Sequence, residues 1–436
     1  MDSLLWNKRN SACILLKNAA IFLDELAWEW RDTDAIVPKL AKCFVIPESE
    51  LNRDFWDFCQ PLIANGILLA KGIWEVEGLS PLEDNAALGT SSAKKQETYD
   101  DGWTPLGSFF EKHHIPAELH IDLTSACTEH CVHCYIPEYT NRFLDFGFVK
   151  KALDEYKAMG GLTVHLSGGE CMMHPQFDDI VRYCQVQNIN MIILSNLTLC
   201  DDKRIEVLKE VDPQFINVSL YSMNPAQHDA VTRLKGSWKR TMDAILACEA
   251  AGIHIRLAAP VLKENREGYG ALVEFARAHH MHLIPDVDIF PQCNQDDSNL
   301  KHALSPAELE AFMTENRSLF DGSFNHRMPA AEDKVCDIGK AHICLDSQGH
   351  YYPCDGTHGL VLGDVHTNTL SAVWNSEKFN ALRALRNRDF PTCAVCENRP
   401  YCKVCPAHNF NATGDILRHS PQKCAFASVK RKIFGK

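Results

Sequence analysis

The sequence predicts an α/β protein with a partial (β/α)6 barrel at its centre. Six apolar runs of strand length lie between about residues 117 and 290, and amphipathic helical stretches separate them. This alternation is typical of a parallel sheet with right-handed crossovers. Beyond residue 330 the rhythm stops and cysteines accumulate, so we expect bound metal to stabilise that part of the chain.

Composition and charge exclude several classes of protein. The chain has 436 residues, 45% hydrophobic and 23% charged, which is ordinary for a globular protein of two or three domains. A formal net charge of −13 argues against a general binder of nucleic acid or of anionic membranes. No apolar run reaches the ~18 residues of a membrane-spanning helix. We read no signal peptide, and therefore expect a cytoplasmic location.

Cysteine usage is the unusual feature of the composition. The chain contains 19 cysteines, although disulfides are rare in a reducing cytosol. About half stand alone in apolar surroundings, where free cysteine packs as a small hydrophobic residue. The others form tight groups in two regions, and such grouping indicates metal binding.

Shifts in pattern divide the chain into four segments. Residues 1–82 combine short strand-like runs with helical spacing of apolar residues, and residues 83–110 form a polar linker. Residues 111–330 hold the barrel, and residues 331–436 hold the second cysteine group. The predicted barrel strands are AELHIDL, LTVHL, NMIILS, FINVSL, HIRLAAPV and HLIPDVDIF. Chemistry in such sheets gathers at the carboxyl ends of the strands.

The first cysteine group lies just past the first of these strands. Cys127, Cys131 and Cys134 can hold three irons of a [4Fe–4S] cubane and leave the fourth iron open to a ligand. A zinc site completed by His130 or His133 is the alternative, because structural zinc takes four ligands.

A second motif follows the next strand, at the same edge of the predicted sheet. Gly168 and Gly169 let the backbone approach a ligand closely, and Glu170 can pair with an ammonium group. With the three cysteines, this motif resembles the radical S-adenosylmethionine (SAM) superfamily. Tyr135 matches the aromatic residue that usually follows the third cysteine. The resemblance implies that SAM chelates the open iron and that Glu170 holds its amino group.

The same resemblance implies the chemistry. One electron cleaves SAM to a 5′-deoxyadenosyl radical, which takes a hydrogen atom from the substrate. Ser219 lies where related enzymes contact the ribose, and Arg233 lies where some of them bind the methionine carboxylate. A strand-end cap and a surface charge are the alternatives for these two residues.

The second cysteine group resembles the SPASM domain, which binds two auxiliary [4Fe–4S] clusters. The resemblance implies an outer cluster on Cys393, Cys396, Cys402 and Cys424. It implies an inner cluster on Cys336, Cys354 and Cys405, with Cys344 as the candidate fourth ligand. Cys405 departs from the family pattern, because only Lys403 and Val404 separate it from Cys402, where three residues are usual. A zinc knuckle is the alternative, but it leaves Cys336, Cys354 and Cys424 unexplained.

Asp355 is the candidate catalytic base. It directly follows Cys354, and in sulfatase-maturing enzymes of this family an aspartate at that place acts as base. A buried position near a cluster is one where a pKa can be tuned. The alternative is a turn residue, because Asp-Gly is a common turn pair.

Residues 1–82 resemble the PqqD-like winged helix that recognises the leader of a ribosomally made precursor peptide. In such elements the leader adds as a strand to an exposed sheet edge, and the run CILLKNAAIFL offers one. A DNA-binding winged helix is the alternative. Overall acidity and the lack of a basic helix argue against it.

The resemblance therefore implies a peptide-modifying oxidoreductase that forms an intramolecular C–C or thioether crosslink. We expect SAM and three [4Fe–4S] clusters as cofactors, a precursor peptide as substrate, and a reductase with flavodoxin or ferredoxin as electron donor. A sulfatase-type protein maturase and a peptide epimerase are the nearer alternatives. A zinc-stabilised binding or regulatory protein is the alternative from another class.

Overall fold

In a computed structural model, the chain divides into two compact units, Met1–Phe109 and Phe110–Lys436. The structure describes residues 2–6, 13–17, 36, 55, 59, 110–320 and 327–435. In the first unit, β1 (Asp2–Trp6) and β2 (Cys13–Lys17) pair antiparallel, so a strand forms in the predicted CILLK run. The prediction of a winged helix over residues 1–82 and of a linker over 83–110 otherwise lies almost wholly outside the described residues.

A single sheet organises the described part of the second unit. Six of its strands are β3 (Glu118–Asp122), β4 (Thr163–Ser167), β5 (Asn190–Ser195), β6 (Phe215–Ser219), β7 (Ile255–Pro260) and β8 (His282–Asp286). These six strands are parallel and lie in chain order across the sheet, which confirms the predicted partial barrel.

Helices cross over between these strands and cover the sheet. They are α1 (Phe146–Ala158), α2 (Phe177–Val186), α3 (Asp202–Val211), α4 (Pro225–Thr232), α5 (Ser237–Ala250), α6 (Tyr269–Ala278) and, after β8, α7 (Pro306–Glu315). Side-chain caps fix several helix starts. Asp201 accepts a hydrogen bond from the amide of Arg204, and Ser305 forms a capping box with Glu308.

The cysteine-rich segment extends the same sheet, which the sequence did not predict. β9 (His342–Leu345) pairs parallel with β3, and β10 (His350–Tyr352) and β11 (Gly363–Asp364) follow antiparallel. β9 thereby covers the edge of β3 that β4 leaves open. The barrel and the cysteine-rich segment share one sheet, although residue 331 marks a change in sequence pattern.

Four short helices and one of 14 residues complete the described part of this segment. They are α8 (Leu370–Trp374), α9 (Glu377–Arg383), α10 (Pro391–Ala394), α11 (Pro406–Thr413) and α12 (Pro421–Phe434). Over the whole described part of the chain, 3₁₀ turns lie at Cys171–Met173, Ser298–His302, Arg317–Leu319, Asn387–Asp389 and Arg399–Tyr401. Across the described residues, no helix is both long and apolar enough to span a membrane.

Candidate active site

The three-cysteine loop follows β3 and is tied to helix α4. The amides of His130 and Val132 donate to the carbonyls of Thr232 and Val231, at 3.0 and 2.9 Å. The loop thus rests on the end of α4, just before Arg233. Burial raises the pKa of the Cys127 thiol to about 12, and the nearby thiol of Cys134 acts in the same direction.

Each thiol of this loop has a polar neighbour. Asn196 Nδ2 lies 3.9 Å from Cys127 Sγ, and Tyr221 Oη lies 3.5 Å from Cys131 Sγ. The hydroxyl of Tyr139 hydrogen-bonds with the thiol of Cys134. Burial also raises the pKa of the Cys131 and Cys134 thiols, so a bound metal cation is what would ionise them. Three such thiols in one loop fit an iron–sulfur cluster.

The two glycines after β4 are required by the close approach of the cysteine loop. A Cβ at Gly168 would lie 2.2 Å from the carbonyl oxygen of Thr124, and Gly168 has a φ of 130°. A Cβ at Gly169 would lie 2.2 Å from the carbonyl oxygen of Ala126 and 3.0 Å from the Cβ of Cys127. The two motifs that the sequence placed at one sheet edge therefore pack directly on each other.

Glu170 lies buried beside this contact, with only 1% of its surface exposed. Its Oε1 accepts hydrogen bonds from the Ser195 hydroxyl at 2.8 Å and the Met172 amide at 3.0 Å. Its Oε2 accepts one from the amide of Asn196 at 2.7 Å. Burial raises the pKa of Glu170, and these donors oppose that rise. Glu170 thus joins the end of β4 to the end of β5 as well as facing the cysteine loop.

Ser219 and Arg233 lie near the same loop. Ser219 ends β6 and hydrogen-bonds with Tyr221, which contacts Cys131. Arg233 follows α4 in a left-handed conformation with a φ of 56°. A pocket of about 270 Å³ brings Arg233 together with Cys131 and Cys134. The predicted roles toward the ribose and the methionine carboxylate stay predictions.

The C-terminal cysteines fall into two neighbourhoods. Burial raises the pKa of the Cys393 thiol to about 11, and the thiols of Cys402, Cys424 and Cys396 add to that rise. These are the four cysteines predicted for the outer cluster.

The second neighbourhood contains Cys336, Cys354 and Cys405. Burial is the largest cause of the raised pKa of the Cys336 and Cys354 thiols. The thiol of Cys405 adds to the rise in both. The short spacing before Cys405 therefore does not remove it from this group. Cys344 lies in β9, is fully buried and interacts with Cys354. In the described residues, no three His, Cys, Asp or Glu side chains are already arranged around one metal-ion position.

Asp355 follows Cys354 in the loop after β10, and it is exposed. Burial by the surrounding protein acts to raise its pKa. His120 and His342 outweigh burial and hold the pKa of Asp355 below its ordinary value. The thiol of Cys354 donates to Asp355 Oδ1 at 3.2 Å.

Asp122, which ends β3, connects the barrel to the loop that carries Asp355. Its Oδ2 accepts hydrogen bonds from Tyr352 Oη at 2.5 Å and from His358 Nε2 at 2.8 Å. Its Oδ1 lies 3.1 Å from His120 Nε2. Burial favours a neutral carboxyl, but these partners hold the pKa of Asp122 well below its usual range. Tyr135 packs against the His358 ring, with 5.7 Å between centroids.

Sequence reasoning missed several polar residues of this region. They are Asp122, Tyr139, Asn196, Tyr221 and His358. The strand pattern offered a signal for three of them, because Asp122 ends β3, Asn196 follows β5 directly, and Tyr221 lies two residues past β6. Tyr139 and His358 belong to loops, and no periodicity marks them.

Comparison with known proteins agrees with this geometry. The model of the Radical SAM superfamily matches residues 121–276, and that of the iron–sulfur cluster-binding SPASM domain matches residues 336–406. An AdoMet-dependent heme synthase from Methanosarcina barkeri is 24% identical over 71% of this chain and 96% of its own. The PqqA peptide cyclase of Gluconobacter oxydans is 28% identical over 65% of this chain and 83% of its own.

Solved structures show the same fold. Streptococcus suis SuiB bound to its precursor peptide SuiA superposes with a TM-score of 0.62 and 16% identity, over 97% of this chain and 96% of SuiB. The enzyme anSMEcpe with bound AdoMet and the Cp18Cys peptide gives a TM-score of 0.58 and 14% identity, over 73% of this chain and 96% of anSMEcpe.

The fold and the two cysteine regions define an iron–sulfur enzyme of the radical SAM superfamily. Within that superfamily, the chain belongs to the SPASM subfamily. Its cofactors are SAM and [4Fe–4S] clusters, which the radical SAM and SPASM regions bind.

Glu170→Gln should weaken SAM binding at least about tenfold, because a charge-assisted hydrogen bond contributes about 1.5–3 kcal/mol. Iron content should stay unchanged, since no cysteine is altered. Equilibrium dialysis with labelled SAM measures the affinity, and Glu138→Gln, an exposed position of the cysteine loop, is the control. Equal SAM affinity in wild type and Glu170→Gln would show that Glu170 only joins β4 to β5.

Proposed function

We propose that this enzyme modifies a ribosomally made precursor peptide and forms an intramolecular C–C or thioether crosslink. The observation that carries the proposal is the extent of the SuiB match. SuiB, in complex with its precursor peptide, superposes over 97% of this chain and 96% of its own. A peptide cyclase among the relatives, and the Bacillus subtilis subtilosin biosynthesis protein AlbA, 29% identical over 44% of this chain, add support.

A heme-forming reaction is the second candidate, since an AdoMet-dependent heme synthase matches over 96% of its own length. Mass spectrometry separates the two candidates. A crosslink lowers the mass of the precursor peptide by two hydrogen atoms for each bond. Heme formation by the reconstituted enzyme, with every peptide mass unchanged, would favour the second candidate. An epimerase would change the peptide without changing its mass.

In the proposed reaction, each region of the site has a separate task. The bound cofactors supply a 5′-deoxyadenosyl radical and accept an electron from the substrate. Glu170 holds the amino group of SAM, with Ser219 and Arg233 near its ribose and carboxylate. Asp355 takes the proton that leaves the substrate as the new bond forms. A reductase with flavodoxin or ferredoxin delivers the starting electron.

We assign three clusters to the cysteines. The first cluster is on Cys127, Cys131 and Cys134. The outer cluster is on Cys393, Cys396, Cys402 and Cys424. The inner cluster is on Cys336, Cys354 and Cys405, with Cys344 as its fourth ligand. Anaerobically reconstituted enzyme should then hold about 12 irons per chain. Alanine at all three positions of the first group should remove about a third of the iron and abolish SAM cleavage. Metal analysis showing about four irons with stoichiometric zinc would contradict the two auxiliary clusters.

Asp355→Asn should keep reductive SAM cleavage and lose most of the peptide product, because the carboxylate that takes the proton is gone. Chromatography of 5′-deoxyadenosine and mass spectrometry of the peptide measure the two outcomes. Asp337→Asn is the control, since Asp337 also lies next to a SPASM cysteine but its side chain is 71% accessible. Full peptide turnover by Asp355→Asn would exclude Asp355 as the base.

We further propose that the first unit binds the leader of the precursor peptide. A chain beginning at Phe110, where the second unit begins, keeps β3 and the buried Phe110 side chain. It should still cleave SAM, but it should lose most turnover of the precursor, because tethering supplies effective concentration for a weakly bound core. The two chains are compared at amounts that give equal SAM cleavage, and mass spectrometry of the precursor peptide then measures the loss of turnover. Equal processing by both chains would place leader recognition elsewhere.

A further inference from the structure

Arg256 is a half-buried cation on the inner face of the barrel. Along β7, Ile255, Leu257 and Ala259 are buried in the core that the helices cover, so Arg256 points to the opposite face of the sheet. Its guanidinium carbon lies 3.8 Å from the ring centroid of Phe215, on β6. This stacking holds the side chain in place, but a ring face gives the N–H groups of the guanidinium no oxygen acceptor.

The N–H donors of Arg256 have no acceptor among the described residues. No carboxylate oxygen of these residues lies within 4.0 Å of the guanidinium, and none of them accepts a hydrogen bond from it. The in-register neighbour on β8 is His282, whose imidazole brings no negative charge. Removing a guanidinium from water without a partner costs free energy. A ligand that supplies acceptors would offset that cost.

Asn217 lies beside Arg256 and also has unused hydrogen-bonding groups. The two residues are in register across the β6–β7 pair. The Oδ1 atom of Asn217 is shielded from solvent, and the side-chain amide makes no hydrogen bond to a described residue. An amide offers both a donor and an acceptor, which are the two groups that a peptide backbone can pair with.

The carboxylates of the inner face lie away from Arg256. Glu118 and Asp122 are on β3, four strands from β7 in the sheet. Asp355 lies in the loop after β10, beyond β3 in the same sheet. Asp286 ends β8, four residues past the level of Arg256. The charge of Arg256 is therefore available to a carboxylate that a ligand brings.

The position of this pair relates it to the predicted SAM site. Ser219, the predicted ribose contact, is on the same face of β6 as Asn217 and in register with Ala258. Arg256 precedes Ala258 by two residues, or about 7 Å along the strand. A substrate residue held by Arg256 would therefore lie about one side-chain length from the place where the radical forms.

We propose that Arg256 and Asn217 bind an acidic residue in the core of the precursor peptide, the segment that is modified. Arg256 pairs with the carboxylate through two parallel hydrogen bonds, and Asn217 pairs with the backbone of the same residue. The inference rests on the proposed function and makes the substrate more specific. The segment that enters the barrel carries Asp or Glu at or beside the crosslink.

The test uses the full-length reconstituted enzyme, SAM and the precursor peptide encoded beside the gene. Arg256→Gln should lower kcat/KM for crosslinking about tenfold, because a charge-assisted pair is lost. It should also increase the 5′-deoxyadenosine formed per crosslink, since the core is held less well. Arg256→Lys should recover only part of the loss, because an ammonium lacks the planar pair of donors. Asn217→Ala should lower kcat/KM about fivefold.

The peptide supplies the second arm of the test. Each core Asp or Glu is changed in turn to Asn or Gln and tested with wild type and with Arg256→Gln. One of these peptides should lose about tenfold with wild type and nothing further with Arg256→Gln, because the two changes remove the same contact. Arg277→Gln is the matched control, since it removes the same charge from a side chain on α6 that is 76% accessible. Its kinetics should equal those of the wild type.

Three results would contradict this inference while crosslinking by the wild type leaves the proposed function standing. They are a core without Asp or Glu, unchanged kinetics of the wild type with every altered peptide, and losses that add fully when the two changes are combined. The second result needs no enzyme variant, so the inference is tested even if Arg256→Gln does not fold. A wild type that leaves the mass of the precursor peptide unchanged would overturn both proposals.

Discussion

The pairing of β3 with strands on both of its sides is the constraint on which the site depends. On one side β3 pairs with β4, which is followed by the two glycines and Glu170, and on the other with β9, which carries Cys344. All three strands are parallel, so their carboxyl ends reach the same edge of the sheet. The cysteine loop after β3 is thereby flanked by the two glycines and Glu170 on one side and by the C-terminal end of β9 on the other.

Asp122 makes this arrangement more rigid. A carboxylate that is 5% exposed is stable only when it is well hydrogen-bonded, and Tyr352 and His358 supply those bonds from the C-terminal segment. Both donors lie within four residues of Cys354, and His358 also packs against Tyr135. One side chain at the end of β3 therefore links the three-cysteine loop to the loop that carries Cys354.

The sequence predicted those parts of the fold that rest on local periodicity and on short motifs. The six parallel strands and the contact between the three cysteines and the two glycines appear where their patterns placed them. β9 was not predicted, because four residues, HICL, carry too little periodicity and their partner β3 lies far away in sequence. The hydrogen bonds of Asp122 to Tyr352 and His358 could not be predicted either, since partners so distant in sequence leave no spacing signal.

The β3–β9 pairing also has a consequence for biosynthesis. β9 leaves the ribosome roughly 220 residues after β3, which is on the order of 10–40 s at ordinary rates of elongation. Throughout that interval β3 has an unpaired edge in a partly built sheet, and such an edge is a template for pairing with another chain. The barrel half of the nascent protein therefore needs protection until its C-terminal strand arrives. A chain that terminates before His342 exposes that edge permanently.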